Sequence, residues 1–518
     1  MYLVTSAEMQ AMDQLAIESF GIPSRVLMEN AGREATRLFL SHFSEAARQG
    51  VGVIAGQGNN GGDGHVMARC LAQKGYPVAV YLLSSAGKVK GDAAANLKLL
   101  APLGVPVIEI PDEATLATYH REMRSAAVWI DAIFGTGLNS DVRGLFRNAI
   151  EFINQLSRPV FAVDIPSGLN ANTGQPRGAC IHAQITVTFA CPKLGQILFP
   201  GAEYCGKLEV VDIGIPPHIA DRVGPRQFLI TARDVRGYLP PRPADTHKGR
   251  TGHLLVVAGS PGKTGAAAMT AMSALRAGAG LVTLGIAQSL NPITETLMLE
   301  AMTAPLPDSG TGVLGLSARE TLLALAQGKS CLAIGPGLGP APETGEVVRD
   351  LIRSSPVTLV IDADGLNHLA GHLKVLEGLA VAAVLTPHPG EMARLLATAT
   401  TTVQQDRVTC ARDLAVSCKV HVVLKGARTV IAHPDGGVHV NPTGNAGMAS
   451  GGMGDVLTGA IAGLITQGIQ PDLAARAAVY LHGAAGDSLS RSAGPWGYLA
   501  GEVMKALPGE LAKLSEGT

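Results

Sequence analysis

Short apolar runs alternate with helix-length segments along nearly the whole chain. In the first half the runs fall at residues 51–55, 78–83, 105–110, 127–132, 160–165, 185–190 and 208–213, with helical patterns at 65–74 and 92–103. Strands buried on both faces read as unbroken apolar runs, and their alternation with helices predicts a doubly wound, mostly parallel sheet. Two helices precede it. Thr5-Ser-Ala-Glu8 has the form of a capping box, and Pro23 and Ser24 open a second helix to about Gly50. The alternation stops between Pro216 and Asp245, where Leu239-Pro-Pro-Arg-Pro243 can continue neither a helix nor a central strand. It then restarts, with strands predicted at 253–258, 281–286, 331–334, 359–362, 384–386, 420–425, 429–433 and 438–441. Helices are predicted at 265–277, 455–466 and 471–489, the last two ending the ordered part. No repeat relates the halves. The expectation is two different α/β domains, residues 1–225 and 226–518.

Composition agrees with sheets of this kind. The chain is 47% hydrophobic but only 4% aromatic, so its cores are aliphatic, and its 63 glycines fit tight turns between strand and helix. Lys and Arg (41) balance Asp and Glu (42) with no basic run, which argues against nucleic-acid binding. Seven scattered cysteines without a CxxC pair suit free thiols in a reducing compartment. The first residues carry Glu8, Asp13 and Glu18 and no basic region, unlike a signal peptide. The apolar runs fall far short of the roughly 18 residues of a membrane span. A cytoplasmic protein is expected.

The glycines concentrate in loops that follow strands. Gly56-Gln-Gly-Asn-Asn-Gly-Gly-Asp-Gly64 follows the first strand, where backbone N–H groups can close on a phosphate at a helix N-terminus. It lacks the downstream acid that accompanies GxGxxG in the dinucleotide fingerprint, which it therefore matches poorly. Two later strands end in Ile130-Asp-Ala-Ile-Phe-Gly-Thr-Gly-Leu138 and Val163-Asp-Ile-Pro-Ser-Gly168. Neighbouring parallel strands converge at their carboxyl ends, so Asn60, Asp131, Asp164 and Ser167 can share one crevice. Hard oxygen ligands of low charge suit a hard or monovalent cation, although an Asp at a strand end is often only a turn acid.

In the second half, Asn445-Ala-Gly-Met-Ala-Ser-Gly-Gly-Met-Gly-Asp-Val-Leu-Thr-Gly459 leads into a helix. N–H groups from Gly452 to Gly454 would stabilise an anion developing in phosphoryl transfer, and Asp455 is placed to take a hydroxyl proton. An aspartate merely capping that helix is the ordinary alternative. No GxxxxGK[ST] phosphate loop is present.

Four segments of the first half, Asn59-Asn-Gly-Gly-Asp63, Gly135-Thr-Gly-Leu138, Val163-Asp-Ile-Pro-Ser-Gly168 and Phe189-Ala-Cys-Pro-Lys-Leu-Gly195, resemble the NAD(P)H-hydrate epimerase family over about residues 1–220. The resemblance implies a Rossmann-like three-layer sandwich binding hydrated NAD(P)H across the strand ends. It implies substrate contacts from Asn59, Asn60, Gly61, Gly62, Asp63, Gly135, Thr136, Gly137, Leu138, Asn139, Ser140, Asp141 and Asp164. It also implies a potassium ion on Asn60, Asp131 and Ser167. The sequence departs from the pattern at Ser140, where a basic residue is expected. Inverting a hydroxyl-bearing carbon needs a group that moves a proton or stabilises an opened-ring or iminium intermediate. Asp164 is the first candidate. Lys193 is the second, as electrostatic partner or acid, with a surface lysine as the alternative.

The second half carries Gly-x-Gly-Asp455 together with His247-Lys-Gly-Arg-Thr-Gly-His253, Arg276-Ala-Gly-Ala-Gly-Leu-Val282, Gly335-Pro-Gly-Leu-Gly339, Asp362-Ala-Asp-Gly-Leu-Asn367, Thr386-Pro-His-Pro-Gly-Glu391 and Lys425-Gly-Ala-Arg-Thr429. This ordered set is similar to the ADP-dependent NAD(P)H-hydrate dehydratase family, of ribokinase-like three-layer α/β fold, over about residues 230–510. The resemblance implies hydrate against Ala277, Gly339, His388 and Asp455. It places AMP on Lys425, Gly426, Ala427, Arg428, Thr429 and Gly454, with Asp455 catalytic. ADP is implied over ATP, with magnesium. The combined expectation is a bifunctional repair enzyme acting on hydrated NADH and NADPH, a homo-oligomer without nucleic-acid or membrane partners. The alternative is a ribokinase-like small-molecule kinase with an N-terminal ligand-binding domain.

Overall fold

The computed structural model describes residues 1–516, and the chain divides into two compact units, Tyr2–Gln227 and Phe228–Thr518 together with Met1. In the first unit the helix Ser6–Gln14 starts at the Thr5–Glu8 capping box, and Ser24–Gln49 follows Pro23. Seven strands then form one sheet: β1 (Val51–Ala55), β2 (Val78–Leu82), β3 (Val107–Glu109), β4 (Val128–Ala132), β5 (Val160–Val163), β6 (Ile185–Phe189) and β7 (Lys207–Val211). The order is β3-β2-β1-β4-β5-β6-β7 and every pairing is parallel.

Alternation of side chains along the strands builds a core on each face. Val51, Val53, Val128 and Ile130 join Phe39, Met67 and Leu71 on one side, while Ile54 and Trp129 join Leu116, Ile150 and Ile153 on the other. Helices Ser24–Gln49 and Asn59–Gln73 thus cover one face, and Glu113–Met123 and Gly144–Gln155 the other. The strand order reverses between β1 and β4, where Ala55 pairs with Ala132. Loops diverge there and leave a crevice at the carboxyl edge.

The second unit holds β8 (His253–Val257), β9 (Leu281–Ala287), β10 (Met302–Leu306), β11 (Cys331–Ile334), β12 (Thr358–Ile361), β13 (Ala383–Leu385), β14 (His421–Leu424), β15 (Val430–Ala432) and β16 (Val438–Val440). Their order is β16-β15-β14-β13-β12-β11-β8-β9-β10, parallel from β10 to β14 and antiparallel beyond. Helices Thr264–Arg276 and Met453–Thr466 pack in close backbone contact, since a Cβ on Gly459 would sit 2.2 Å from the Thr270 carbonyl oxygen.

Three expectations are corrected. The helix predicted at 65–74 begins at Asn59, so most of the glycine run is helical. The edge strand β10 was not foreseen, because Pro305 interrupts an already short run. The ordered part does not end near 489: helix Ala500–Glu516 follows, burying Val503 and Leu507 despite Pro508 within it. All seven cysteines are free, and among the described residues no helix is long and apolar enough to cross a membrane.

Candidate functional sites

In the first unit the crevice widens into a cavity of about 770 Å³ lined by Gly56–Asn60 after β1, Ile133–Ser140 after β4, Asp164 after β5, and Phe189 and Lys193 at and beyond the end of β6. Asp164 takes the left-handed conformation, φ +64°, as the chain turns out of β5. Gln196 fixes that turn by donating to the Asp164 carbonyl at 2.6 Å while accepting the Lys193 N–H at 2.7 Å. Lys193 is fully buried, which excludes the surface-lysine alternative. Its ammonium donates to Asp164 Oδ1 at 2.5 Å, Thr188 Oγ1 at 2.9 Å and the Phe189 carbonyl at 3.2 Å. An ammonium has three donors, and all three are taken. Lys193 is therefore an electrostatic partner of Asp164 and has no proton left to direct at a ligand.

Asn59, Asn60, Asp63 and Gly135 through Ser140 line the same cavity. Gly61 and Gly62 are buried and do not line the cavity. A Cβ on Gly61 would sit 2.0 Å from the Gly56 carbonyl oxygen, so its absence lets the helix start against the β1 turn. Asp141 is exposed. Burial holds the Asp63 carboxyl well above the usual range, helped by the charges of Asp164 and Asp13. Asp13, from the first helix, also lines the cavity, and burial pushes its carboxyl up to about 6. Sequence reasoning missed Asp13, although Met9, Asp13 and Ile17 recur at helical spacing and all reach the cavity wall.

Beneath the cavity floor Asp131 and Ser167 are completely buried. Asp131 accepts from the Ser167 hydroxyl at 2.6 Å, the Ser167 N–H at 2.7 Å and the Ile133 N–H at 3.2 Å, yet burial still pushes its carboxyl up to about 6. Asn60 donates to the Phe134 carbonyl at 2.9 Å, and its Oδ1 is buried without a partner. The Phe134 carbonyl also lies 3.3 Å from Ser167 Oγ. An orphan amide oxygen, a carbonyl and a carboxylate in need of charge compensation make an oxygen donor set that fits a large monovalent cation. Among the described residues no three His, Cys, Asp or Glu groups converge as a metal site.

In the second unit the chemistry again gathers at the carboxyl ends, on the loops after β8, β11, β12, β13 and β14. Gly452 adopts φ +88° as it caps the helix Met453–Thr466, which leaves Asp455 in the first turn. Burial, reinforced by the neighbouring Asp362 charge, pushes the Asp455 carboxyl up to about 6. Lys425 donates to Asp362 at 2.5 Å and lies 3.7 Å from Glu391, while Thr458 donates to the other Asp362 oxygen at 2.7 Å. A Cβ on Gly454 would meet the Lys425 ammonium at 3.3 Å, so Gly454, Lys425 and Asp455 share one site.

His388 caps the helix Pro389–Leu395. Its Nδ1 accepts from the N–H groups of Gly390 at 3.0 Å and Glu391 at 3.3 Å, and burial lowers its affinity for a proton. The ring is therefore neutral with its proton on Nε2, half-exposed and 3.3 Å from Glu391 Oε1. Gly339 joins through Asp364, which accepts its N–H at 2.8 Å and the Lys263 ammonium at 3.2 Å. The loop of Lys425, Gly426, Ala427, Arg428 and Thr429 is shaped from beneath by buried Arg407, which donates to the carbonyls of Leu424 at 3.0 Å and Ala427 at 2.5 Å.

Ala277 does not belong here. It follows the helix Thr264–Arg276 at its far end, where Gln467 donates to its carbonyl at 3.0 Å. Gln467 is twelve residues beyond Asp455 on one continuous helix, about 18 Å at 1.5 Å per residue. The end of Thr264–Arg276 that meets Gly337 carries Lys263 and Ala266 instead. Asp362, Asp364 and Glu391 lay inside quoted motifs but were not singled out, because spacing alone does not tell a buried counter-charge from a turn acid.

Comparison with known proteins gives the family of both units. Residues 254–509 match the family described as NAD(P)H-hydrate dehydratase, and residues 24–195 match that described as YjeF-related protein N-terminus. The chain is 46% identical over 517 residues to the bifunctional NAD(P)H-hydrate repair enzyme Nnr of Moorella thermoacetica, covering 100% of this chain and 98% of that one. It is 38% identical to the enzyme of the same name from Thermofilum pendens, over 98% of this chain and 96% of the other. A crystal structure of the ADP/ATP-dependent NAD(P)H-hydrate dehydratase from Bacillus subtilis, co-crystallised with ATP and Mg2+, superposes with a TM-score of 0.50 at 31% identity, covering 55% of this chain and 98% of that one. The chain belongs to the family of bifunctional NAD(P)H-hydrate repair enzymes.

Proposed function

We propose that the first unit interconverts the two epimers of hydrated NADH and NADPH, and that the second returns the S epimer to NAD(P)H with ADP, releasing AMP and phosphate. The observation that carries this reading is a lysine–aspartate pair at each carboxyl edge, Lys193 with Asp164 and Lys425 with Asp362, with Asp455 beside the second.

In the first unit the salt bridge to Lys193 orients the Asp164 carboxylate at the cavity wall, and Asn59, Asn60, Asp63 and the turn from Gly135 to Ser140 hold the hydrate. Potassium on Asn60, Asp131 and Ser167 would supply positive charge beneath these loops, satisfying the orphan Asn60 oxygen and the buried Asp131 carboxylate.

In the second unit hydroxide is a poor leaving group, and phosphorylation replaces it with a good one. Asp455 takes the proton of the hydrate hydroxyl as its oxygen accepts the phosphoryl group. Phosphate then departs with the C–O electron pair, and loss of a proton from the adjacent carbon restores the ring double bond. N–H groups of the first turn after Gly452 stabilise the transferring charge. His388 offers its Nε2–H to the hydrate beside Gly339, and the loop from Lys425 to Thr429 with Gly454 cradles AMP. Magnesium would arrive on the nucleotide phosphates, as is usual for that ion.

The test supplies each purified hydrate epimer with ADP. Dihydronicotinamide absorbance should return from both, with AMP and free phosphate in equal amounts. A stable phosphorylated product would instead indicate a small-molecule kinase.

A further inference from the structure

Epimerisation at a carbon that bears a hydroxyl and is bonded to the ring nitrogen needs two proton-handling groups. One takes the hydroxyl proton as the C–N bond opens, and the other protonates the leaving nitrogen. Asp164 is the first. Its Oδ1 is occupied by Lys193, while its Oδ2 faces the Gly135 turn, 3.7 Å from where a Cβ there would stand. Lys193 cannot be the second, because its three donors are spent.

The N-terminal segment, ahead of the matched residues 24–195, supplies a further group. Val4 is stitched to the Lys193 loop, its N–H donating to the Pro192 carbonyl at 3.1 Å and its carbonyl accepting from Leu194 at 2.9 Å. The Thr5–Glu8 capping box starts a helix at that point, and the face of it that carries Met9 places Asp13 in the cavity wall, with Ile17 following in the turn Leu15–Ser19. Asp13 is partly buried, its carboxylate has no hydrogen-bond partner among the described residues, and the charges of Lys193 and Asp164 both act on it. A carboxyl that lines the cavity and is tied up by no neighbour is free to exchange a proton with a ligand there. Asp63 is also near, but it is more deeply buried within the helix Asn59–Gln73.

We infer that Asp13, which lies outside the matched segment 24–195, is the second acid–base residue of epimerisation. The inference rests on the epimerase reading of this unit. Asp164 accepts the hydroxyl proton as the carbonyl forms and the C–N electron pair goes to nitrogen, which takes the Asp13 proton. The carbonyl carbon then turns its other face. Asp13 recovers the proton as nitrogen attacks, and Asp164 returns its proton to oxygen. Nothing is consumed.

The experiment measures epimerisation and dehydration separately in the full chain for wild type, Asp13→Asn, Asp13→Glu, Asp63→Asn and Asp164→Asn. Asp13→Asn should lower the epimerisation kcat by about 100-fold or more with little change in KM, Asp13→Glu should recover part of it, and dehydration of the S epimer should stay at the wild-type rate. Wild-type-like kcat in Asp13→Asn, a rise in KM alone, or a larger kcat loss in Asp63→Asn than in Asp13→Asn overturns the assignment. If the wild type itself fails to epimerise, the epimerase reading fails instead, and an intact rate in Asp164→Asn overturns the pairing of Asp13 with Asp164.

Discussion

Lys193 Nζ lies 2.5 Å from Asp164 Oδ1 and spends its other two donors on Thr188 and the Phe189 carbonyl. The lysine is 1% exposed at its side chain and the aspartate 14%. A pair buried on one side and open on the other orients a carboxylate without offering a second proton.

Lys193→Met should therefore do two things. It leaves the Asp164 charge uncompensated near a buried floor, and breaking such a pair costs about 3 kcal/mol. Denaturant unfolding should show that loss, epimerisation should fall with it, and dehydration measured in the folded variant should remain. Unchanged stability would mean that the pair is not held in solution.

Dehydration should carry the signature of Asp455. Its carboxyl ionises near 6 rather than near 3.8, and a base works only when ionised. As pH falls through about 6 the group gains a proton and kcat should drop tenfold per unit below that point. Asp455→Asn should remove this limb along with nearly all dehydration, while epimerisation continues. A pH profile flat down to 5 would exclude Asp455 as the base.

Replacing potassium by choline should slow epimerisation and lower the melting temperature of the first unit, because an ion bound only to the folded state stabilises it by about 2.7 kcal/mol at a hundredfold excess over its Kd. Ser167→Ala and Asp131→Asn should each abolish the potassium dependence. Equal melting in the two salts would count against an ion at Asn60.

His388 has two separable roles. His388→Asn keeps a helix-capping acceptor, so the fold should be unaffected and the KM for the hydrate should rise. His388→Ala should lose about 1 kcal/mol of stability as well. By contrast Ala277→Gly should leave the hydrate KM at the wild-type value, since Ala277 lies at the far end of its helix.

The alternation of apolar runs was enough to locate the buried strands but not the edge strand β10, because only a strand buried on both faces reads as an unbroken apolar run. Val51–Ala55 and Cys331–Ile334 are strands as read. The glycine motifs marked the loops at the carboxyl edges, because a close backbone approach excludes side chains whatever the ligand. The same pattern misplaced the start of the helix at Asn59, since glycine reads as turn even where, as at Gly61, its missing Cβ lets a helix start against Gly56. Tertiary structure alone decided which charges meet. Asp13 joins Asp164 across 151 residues of sequence, and Lys425 meets Asp362 across 63. Proton affinities near 6 at Asp13 and Asp455 arise from burial and neighbouring charge, which no local spacing encodes. Ala277 shows the reverse: a residue inside a convincing motif is carried about 18 Å from the site by the helix it ends.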